Sequence, residues 1–181
     1  MNLFDDLRSD YQRHGRSLRN MAFWAMATYR FGRWAGQQPA PIRELGGKVY
    51  SCLYFIVEAT SGIVLNREAT IGEAFHLVHS GNIKIHPSCV IGNRVGIMQD
   101  VTLGEGERSG APVIGDDVFI GAGAKVLGPI TIGDRVRIVA NSLVITDVPS
   151  DCTAIGVPAR ILRYTGRPSE APQQRLDETK S

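Results

Sequence analysis

Ile114-Gly115-Asp116-Asp117-Val118-Phe119 and Ile120-Gly121-Ala122-Gly123-Ala124-Lys125 are two consecutive six-residue words, and Val126-Leu127-Gly128 opens a third. Each word begins with an aliphatic residue. Residues 65–149 divide almost completely in this way. A first run starts at Leu65, Ile71, Leu77 and Ile83; after a two-residue slip, a second starts at Ile85, Ile91, Ile97 and Leu103. The third starts at Ile114, Ile120, Val126, Ile132, Ile138 and Val144. Gly recurs as second letter (Gly72, Gly92, Gly115, Gly121, Gly133), and the fifth is small or aliphatic (Ala69, Val95, Val101, Val118, Ala124, Val136, Ser142). A helix repeats at 3.6 and a half-buried strand at 2, so neither explains a period of six. Short strands joined by tight turns do. The first and fifth letters are expected to point inward, with Gly or Asn taking turn angles that side chains resist. Three words close one triangular rung, and rungs stack with paired backbones. A β-sandwich would need fourteen aliphatic word starts to coincide by chance.

The 181 residues suit one domain with an appendage. A hydrophobic share of 43% and a charged share of 21% are those of a soluble globular chain. A net charge of +2 gives no reason to invoke nucleic acid. Cys52, Cys89 and Cys152 are far apart and odd in number, which argues against a disulfide framework or zinc motif and fits a reducing cytoplasm. Asp5 and Asp6 open the chain with no apolar run behind them, so no signal peptide is expected.

Residues 1–62 read as an N-terminal helical cap. Met21, Trp24, Thr28 and Phe31 fall on one helical face beside Ala25 and Tyr29. Pro39 and Pro41 separate this helix from a second, over 43–59, whose core Val49–Val57 is apolar but too short to span a bilayer. Covering the open end of the coil is the expected role. The alternative is peripheral contact with the inner face of a membrane, since residues 1–48 carry eight Lys/Arg against four Asp/Glu. The break at 104–113 has the composition of an exposed loop extruded from the coil, the expected wall of a site. The coil extends over 63–163, and the polar, proline-bearing segment 164–181 is expected to be a flexible tail.

With the hexads, the extruded loop, Gly121-Ala-Gly-Ala-Lys125 and Gly156-Val-Pro-Ala-Arg160, the chain resembles the hexapeptide-repeat acyltransferases, and among them the serine acetyltransferase group. The resemblance covers about 65–163. It implies a left-handed parallel β-helix, a homotrimer, and acetyl-CoA held between subunits, with no metal. It also implies a general base in the word that here reads Leu77-Val78-His79, so His79 is the expected catalytic residue. Imidazole suits the role, because an acceptor hydroxyl must lose its proton as it attacks a thioester. Backbone N–H groups lining the groove would serve the oxyanion. By the same resemblance Ala122 and Ala140 present backbone amides to the pantetheine arm. Gly104 stands near the thioester, and Arg160 and Arg163 meet the nucleotide phosphates. The word Ile138-Val139-Ala140-Asn141 departs from the family's Gly-Ala-Gly. His76 and His86 match no motif, and Asp100 and Glu73 are equal candidates for orienting His79.

The acceptor side departs further. Val78 replaces the family's Asp before the catalytic His, and Val64-Leu65-Asn66-Arg67 replaces its Asp-Ile-His-Pro. The loop reads Ala111-Pro112 in place of His-Pro, and the helical head is short. Loss of two carboxylates removes a hold on the ammonium of serine. The short head also resembles the acetyltransferases of capsule and exopolysaccharide assembly, including the colanic-acid type. A sugar or polysaccharide-precursor hydroxyl is therefore the expected acceptor, with L-serine second. Two other classes fit the sequence less well. A γ-carbonic-anhydrase-like metal enzyme needs three converging imidazoles, and His76, His79 and His86 lack that family's spacing. A non-catalytic trimeric scaffold needs neither His79 nor the Arg160 and Arg163 features.

Overall fold

The computed structural model describes residues 3–163; the tail expected from 164 lies outside the described residues. Three helices occupy Leu3–Arg13 (α1), Met21–Gly36 (α2) and Ala40–Ser61 (α3), and short strands follow from Val64 onward. The strands build three parallel faces of a prism. The first stacks Val64–Leu65, Lys84–Ile85, Thr102–Gly104, Lys125–Leu127 and Leu143–Val144. The second stacks Thr70–Ile71, Val90–Ile91, Val113–Ile114 and Thr131–Ile132. The third stacks His76–Leu77, Gly96–Ile97, Phe119–Ile120, Arg137–Ile138 and Cys152–Gly156, with Ala159–Arg163 folding back antiparallel as a terminal hairpin. The fold is the left-handed parallel β-helix that the hexads and their resemblance imply.

All fourteen word starts are buried in one continuous core, and so are the fifth letters Ala69, Val95, Val101, Val118, Ala124, Val136 and Ser142. The second-letter glycines serve a different purpose from the one expected. Left-handed backbone falls on the fourth letter: Ala74, Arg94, Asp100, Asp117, Gly123, Arg135, Asn141 and Asp151 all have φ between 53° and 73°. Gly72, Gly92, Gly115 and Gly133 are there because the next rung passes too close. A Cβ on Gly72 would lie 2.6 Å from Asn93 Oδ1, and one on Gly92 would lie 2.5 Å from Asp116 Oδ1.

That close approach belongs to the edge between the second and third faces (72–75, 92–95, 115–118, 133–136, 149–151). Here each rung caps the one before it. Asn93 Oδ1 accepts from the Glu73 N–H (2.9 Å), Asp116 Oδ1 from Asn93 (2.7 Å), and Asp134 Oδ1 from Asp116 (2.8 Å). Ser150 Oγ accepts from Asp134 (2.9 Å). Two bidentate arginine forks, Arg94 to Asp117 and Arg135 to Asp151, lie outside this ladder.

Most of the cap is made by α2, and Val57 of α3 joins it in the core. Asn20 caps α2 by accepting the Ala22 N–H. The face that enters the core is Ala22, Ala25, Met26 and Tyr29; of the expected Met21-Trp24-Thr28-Phe31 stripe only Thr28 is buried, and the core takes Ala25 and Tyr29 from beside it. Small alanines let the helix approach the first rung, whereas Trp24 is 43% exposed and donates to Leu18 O. The Tyr29 hydroxyl donates to Ala69 O (2.8 Å) and accepts the Ile71 N–H, tying α2 to the coil. α3 packs on α2 where Gly46 meets Ala35, and ends at Gly62 in the left-handed region (φ 67°). Its outer side leaves Ile42, Leu45, Phe55 and Ile56 exposed. Among the described residues no helix is long and apolar enough to cross a membrane.

Candidate active site

The third edge of the prism joins the third face to the first (78–83, 98–101, 121–124, 139–142), and its rungs are unequal. Six residues, 78–83, turn the first rung, whereas four, 98–101, turn the second. The two extra residues are the slip visible between Ile83 and Ile85. Val78 N–H still donates to Ile97 O (2.9 Å), and Asp100 N–H donates to Gly81 O (3.0 Å), so both ends of the bulge are pinned. His79 sits on this bulge and is exposed.

Above it the edge continues as a column of small residues. Gly123 N–H donates to Gln99 O (3.0 Å), and Asn141 N–H donates to Ala122 O (2.8 Å). His79, Gln99, Ala122 and Ala140 therefore share one edge. Neither the Ala122 nor the Ala140 N–H meets a backbone acceptor among the described residues, which leaves two donors free along the column. Lys125 is committed elsewhere: its ammonium donates to Asp100 O (2.7 Å) and Thr102 Oγ1 (3.0 Å), bracing the second turn.

Other expected site residues stand apart within this chain. Gly104 ends a strand of the first face, and the loop 105–112 leaves from the first edge (66–69, 86–89, 105–112, 128–130), away from His79. His86 lies on that first edge too, where its Nδ1 accepts the Ser88 N–H. Arg160 and Arg163 are exposed on the terminal hairpin, and strand alternation sends them to opposite faces. Glu73 is on the second edge, with its N–H bound to Asn93. Of the two candidates for orienting His79, only Asp100 shares its edge, and there it acts through its backbone.

Two residues escaped the sequence reading. The Gln99 side-chain oxygen is buried and has no hydrogen-bond partner among the described residues. An orphaned amide oxygen costs roughly 1–3 kcal/mol, so it marks a place prepared for a donor. The second is His14, at the end of α1. Its Nδ1 donates to Asp10 O (2.7 Å), so Nε2 is left to accept the Leu77 N–H (3.3 Å), two residues before His79. Its ring stacks edge-on against His76 (5.3 Å between centroids). Burial lowers the pKa of His14, and burial together with His14 lowers that of His76. Asp10 pairs with Arg30 in the same buried layer (3.2 Å), and Arg30 reaches Gly72 O. Burial holds the Asp10 carboxyl above its usual value, even beside Arg30. The only sequence sign of this brace is the Asp10–His14 spacing of one helical turn in a short polar helix.

A prism built from six-residue words, with an exposed histidine and free amides on one edge, is the architecture of the hexapeptide-repeat proteins. The family model "Bacterial transferase hexapeptide (six repeats)" matches residues 111–146. The chain belongs to the hexapeptide-repeat transferases. It is 36% identical over 147 residues to the serine acetyltransferase of Synechococcus elongatus, covering 80% of this chain and 58% of that one. It is 38% identical over 161 residues to that of Escherichia coli K12, covering 86% and 55%. Among solved structures it resembles a serine acetyltransferase in complex with CoA, with a TM-score of 0.75 and 31% identity, over 88% of this chain and 69% of that one. The chain thus spans a little over half the length of these curated relatives. These relatives are named serine acetyltransferases, and none of them supports the finer likeness to exopolysaccharide acetyltransferases that the short head and the acceptor-side residues suggest.

Proposed function

We propose that this chain transfers an acetyl group from acetyl-CoA to a hydroxyl, with His79 as general base. The observation that carries the reading is the third edge, where an exposed imidazole stands at the foot of a column with two free N–H groups. His79 would take the proton of the acceptor hydroxyl as its oxygen attacks the thioester carbonyl. An N–H donor along the edge would hold the resulting oxyanion. Collapse of the tetrahedral intermediate breaks the carbon–sulfur bond, and the imidazolium returns the proton to the departing thiolate. Ala122 and Ala140 suit the pantetheine arm, and Arg160 and Arg163 suit phosphates, although on opposite faces of the hairpin only one of them can line a given groove. The loop 105–112 and Gly104 complete a groove only if a neighbouring copy brings its first edge to this third edge, which favours a homotrimer.

L-Serine is the acceptor that the relatives favour, because the serine acetyltransferases described above are named for it. The alternative is a sugar hydroxyl, carried by one observation: Val64 and Val78 stand where carboxylates would hold an ammonium. The orphaned oxygen of Gln99 fits either acceptor, since both an ammonium and a neutral hydroxyl can donate to it. CoA release, measured with L-serine and with a panel of nucleotide sugars, decides between them, with His79→Ala as blank. Turnover on serine supports the first reading and turnover on sugars alone the second. Silence on both, without acetyl-CoA binding, overturns the proposal.

A further inference from the structure

The base of the helical head contains a second cleft, far round the prism from His79. It has a volume of about 360 Å³ and lies between the end of α2, the start of α3 and the first edge of the first rung. Arg33, Arg43 and Arg67 line it with Gln37, Gly36 and a single carboxylate, Glu68. Among the described residues none of the three arginines is ion-paired. Three guanidinium groups against one carboxylate leave a wall with an excess of two positive charges.

The arginines are also held in place. The Arg67 guanidinium lies over the Tyr50 ring, 4.8 Å from its centroid, and the Tyr50 hydroxyl accepts the Arg67 backbone N–H (3.1 Å). Tyr50 is buried, and its ring fits there only because position 32 is Gly: a Cβ would lie within 3 Å of the ring. Arg33 Nη1 is anchored on Ala69 O (3.4 Å). A guanidinium has five N–H donors, so each anchored arginine keeps several for a ligand. Gly36 adds no side chain, and a Cβ there would meet nothing within 4 Å, so the mouth stays open.

We propose that this cleft binds a phosphoryl dianion, separately from the acetyl-transfer groove. Planar forks match phosphate oxygens two at a time, and the charge excess of two selects a dianion over a carboxylate. The volume is at the small end for ligand sites, which suits a phosphomonoester. A free phosphorylated metabolite and a phosphomonoester lipid headgroup present the same group to the cleft.

The test uses the full-length protein without acetyl-CoA. Inorganic phosphate is titrated by calorimetry and thermal melting, with acetate as the monoanion control. Flotation with phosphatidylcholine vesicles, with and without phosphatidic acid, is the second arm. Phosphate binding in solution, weakened about tenfold or more by Arg33→Gln with Arg67→Gln, supports a soluble ligand. Flotation that needs both phosphatidic acid and these arginines supports a headgroup. Arg43→Gln is an independent check, because Arg43 is exposed and its loss cannot unfold the chain; it should weaken binding several-fold. Absence of both signals, equal affinity for acetate, or affinities unchanged in these variants would overturn the proposal.

Discussion

The second and third edges of the prism are made by the same chain geometry and are put to opposite uses. On the second edge a side chain of each rung accepts the backbone N–H of the rung below, from Asn93 up to Ser150. Aspartates face arginines, and glycines let the rungs close up. The third edge has the same left-handed fourth letters but few such contacts. It carries a two-residue bulge, an exposed His79, a buried amide oxygen with no partner, and free N–H groups at Ala122 and Ala140. A saturated edge holds the coil together, while an unsaturated one leaves polar groups for something else to complete. The difference teaches which edge to mutate for stability and which for chemistry.

The strongest attempt to break that contrast is His79→Ala. Turnover should fall by roughly two to four orders of magnitude, with the melting temperature and acetyl-CoA affinity nearly unchanged. Steady-state CoA release and thermal melting check this together; a stable variant of full activity would remove His79 from its role. Next comes the brace beneath the bulge. Asp10→Ala leaves Arg30 buried without its partner and should cost about 3–5 kcal/mol in urea unfolding. A loss below about 1 kcal/mol would mean that α1 does not brace the coil.

Gln99→Met is the sharper test, because the two measurements should move in opposite directions. Removing a buried, unpartnered oxygen should stabilise the protein by about 1–3 kcal/mol, while KM for the acceptor rises. On the second edge, Asn93→Ala should do the reverse. Losing the acceptor for the Glu73 N–H should cost about 0.5–1.5 kcal/mol and leave kcat/KM of the folded enzyme unchanged. If Gln99→Met destabilised the chain with no change in kinetics, the two edges would not differ in kind.

These residues also show what a sequence can display. The aliphatic word starts were legible because a period of six survives in one dimension, and every one of them is buried. The slip at Ile83–Ile85 is legible too, though only the structure shows that it is a bulge. The second-letter glycines were visible, but their cause was not. Their need comes from Asn93 and Asp116 about twenty residues away, a proximity that only stacking creates. His79 is proposed from its motif, whereas Gln99 looks like any polar turn residue. Its orphaned state depends on neighbours in other rungs. Helix α1 was missed because it is mostly polar and its purpose lies in one buried layer, Asp10, His14 and Arg30. On α2 the aromatic residues point the sequence reading about one position away from the buried face, because the close approach favours Ala22 and Ala25 over Trp24.

The last prediction sets the two edges against each other by pH. The group bracing the strand that leads into the third edge is His14, faced by the Asp10 carbonyl and carboxylate, His76 and Arg13, and held below its ordinary pKa of 6.5, first by burial. Its neutral form is the one that accepts the Leu77 N–H. The unfolded chain therefore binds a proton before the folded one does, and this contribution to stability is complete above 6.5 and declines as pH falls through and below that value. The second edge is braced by carboxylates shifted the other way relative to their charge. Hydrogen bonds from Asn93 lower Asp116, and hydrogen bonds from Arg94 and Arg135 lower Asp117 and Asp151. Their contribution is present above the ordinary value of 3.8 and is lost only as pH falls below it. Acidification should thus loosen the bulge that carries His79 before it touches the saturated edge. Hydrogen-exchange protection of the Leu77 amide should drop between about pH 7 and 5, while the Asp116 and Asp134 amides keep theirs. His14→Phe should abolish the pH dependence at Leu77. Amides of both edges losing protection together would show that the coil opens as one unit, with no separate brace under the third edge.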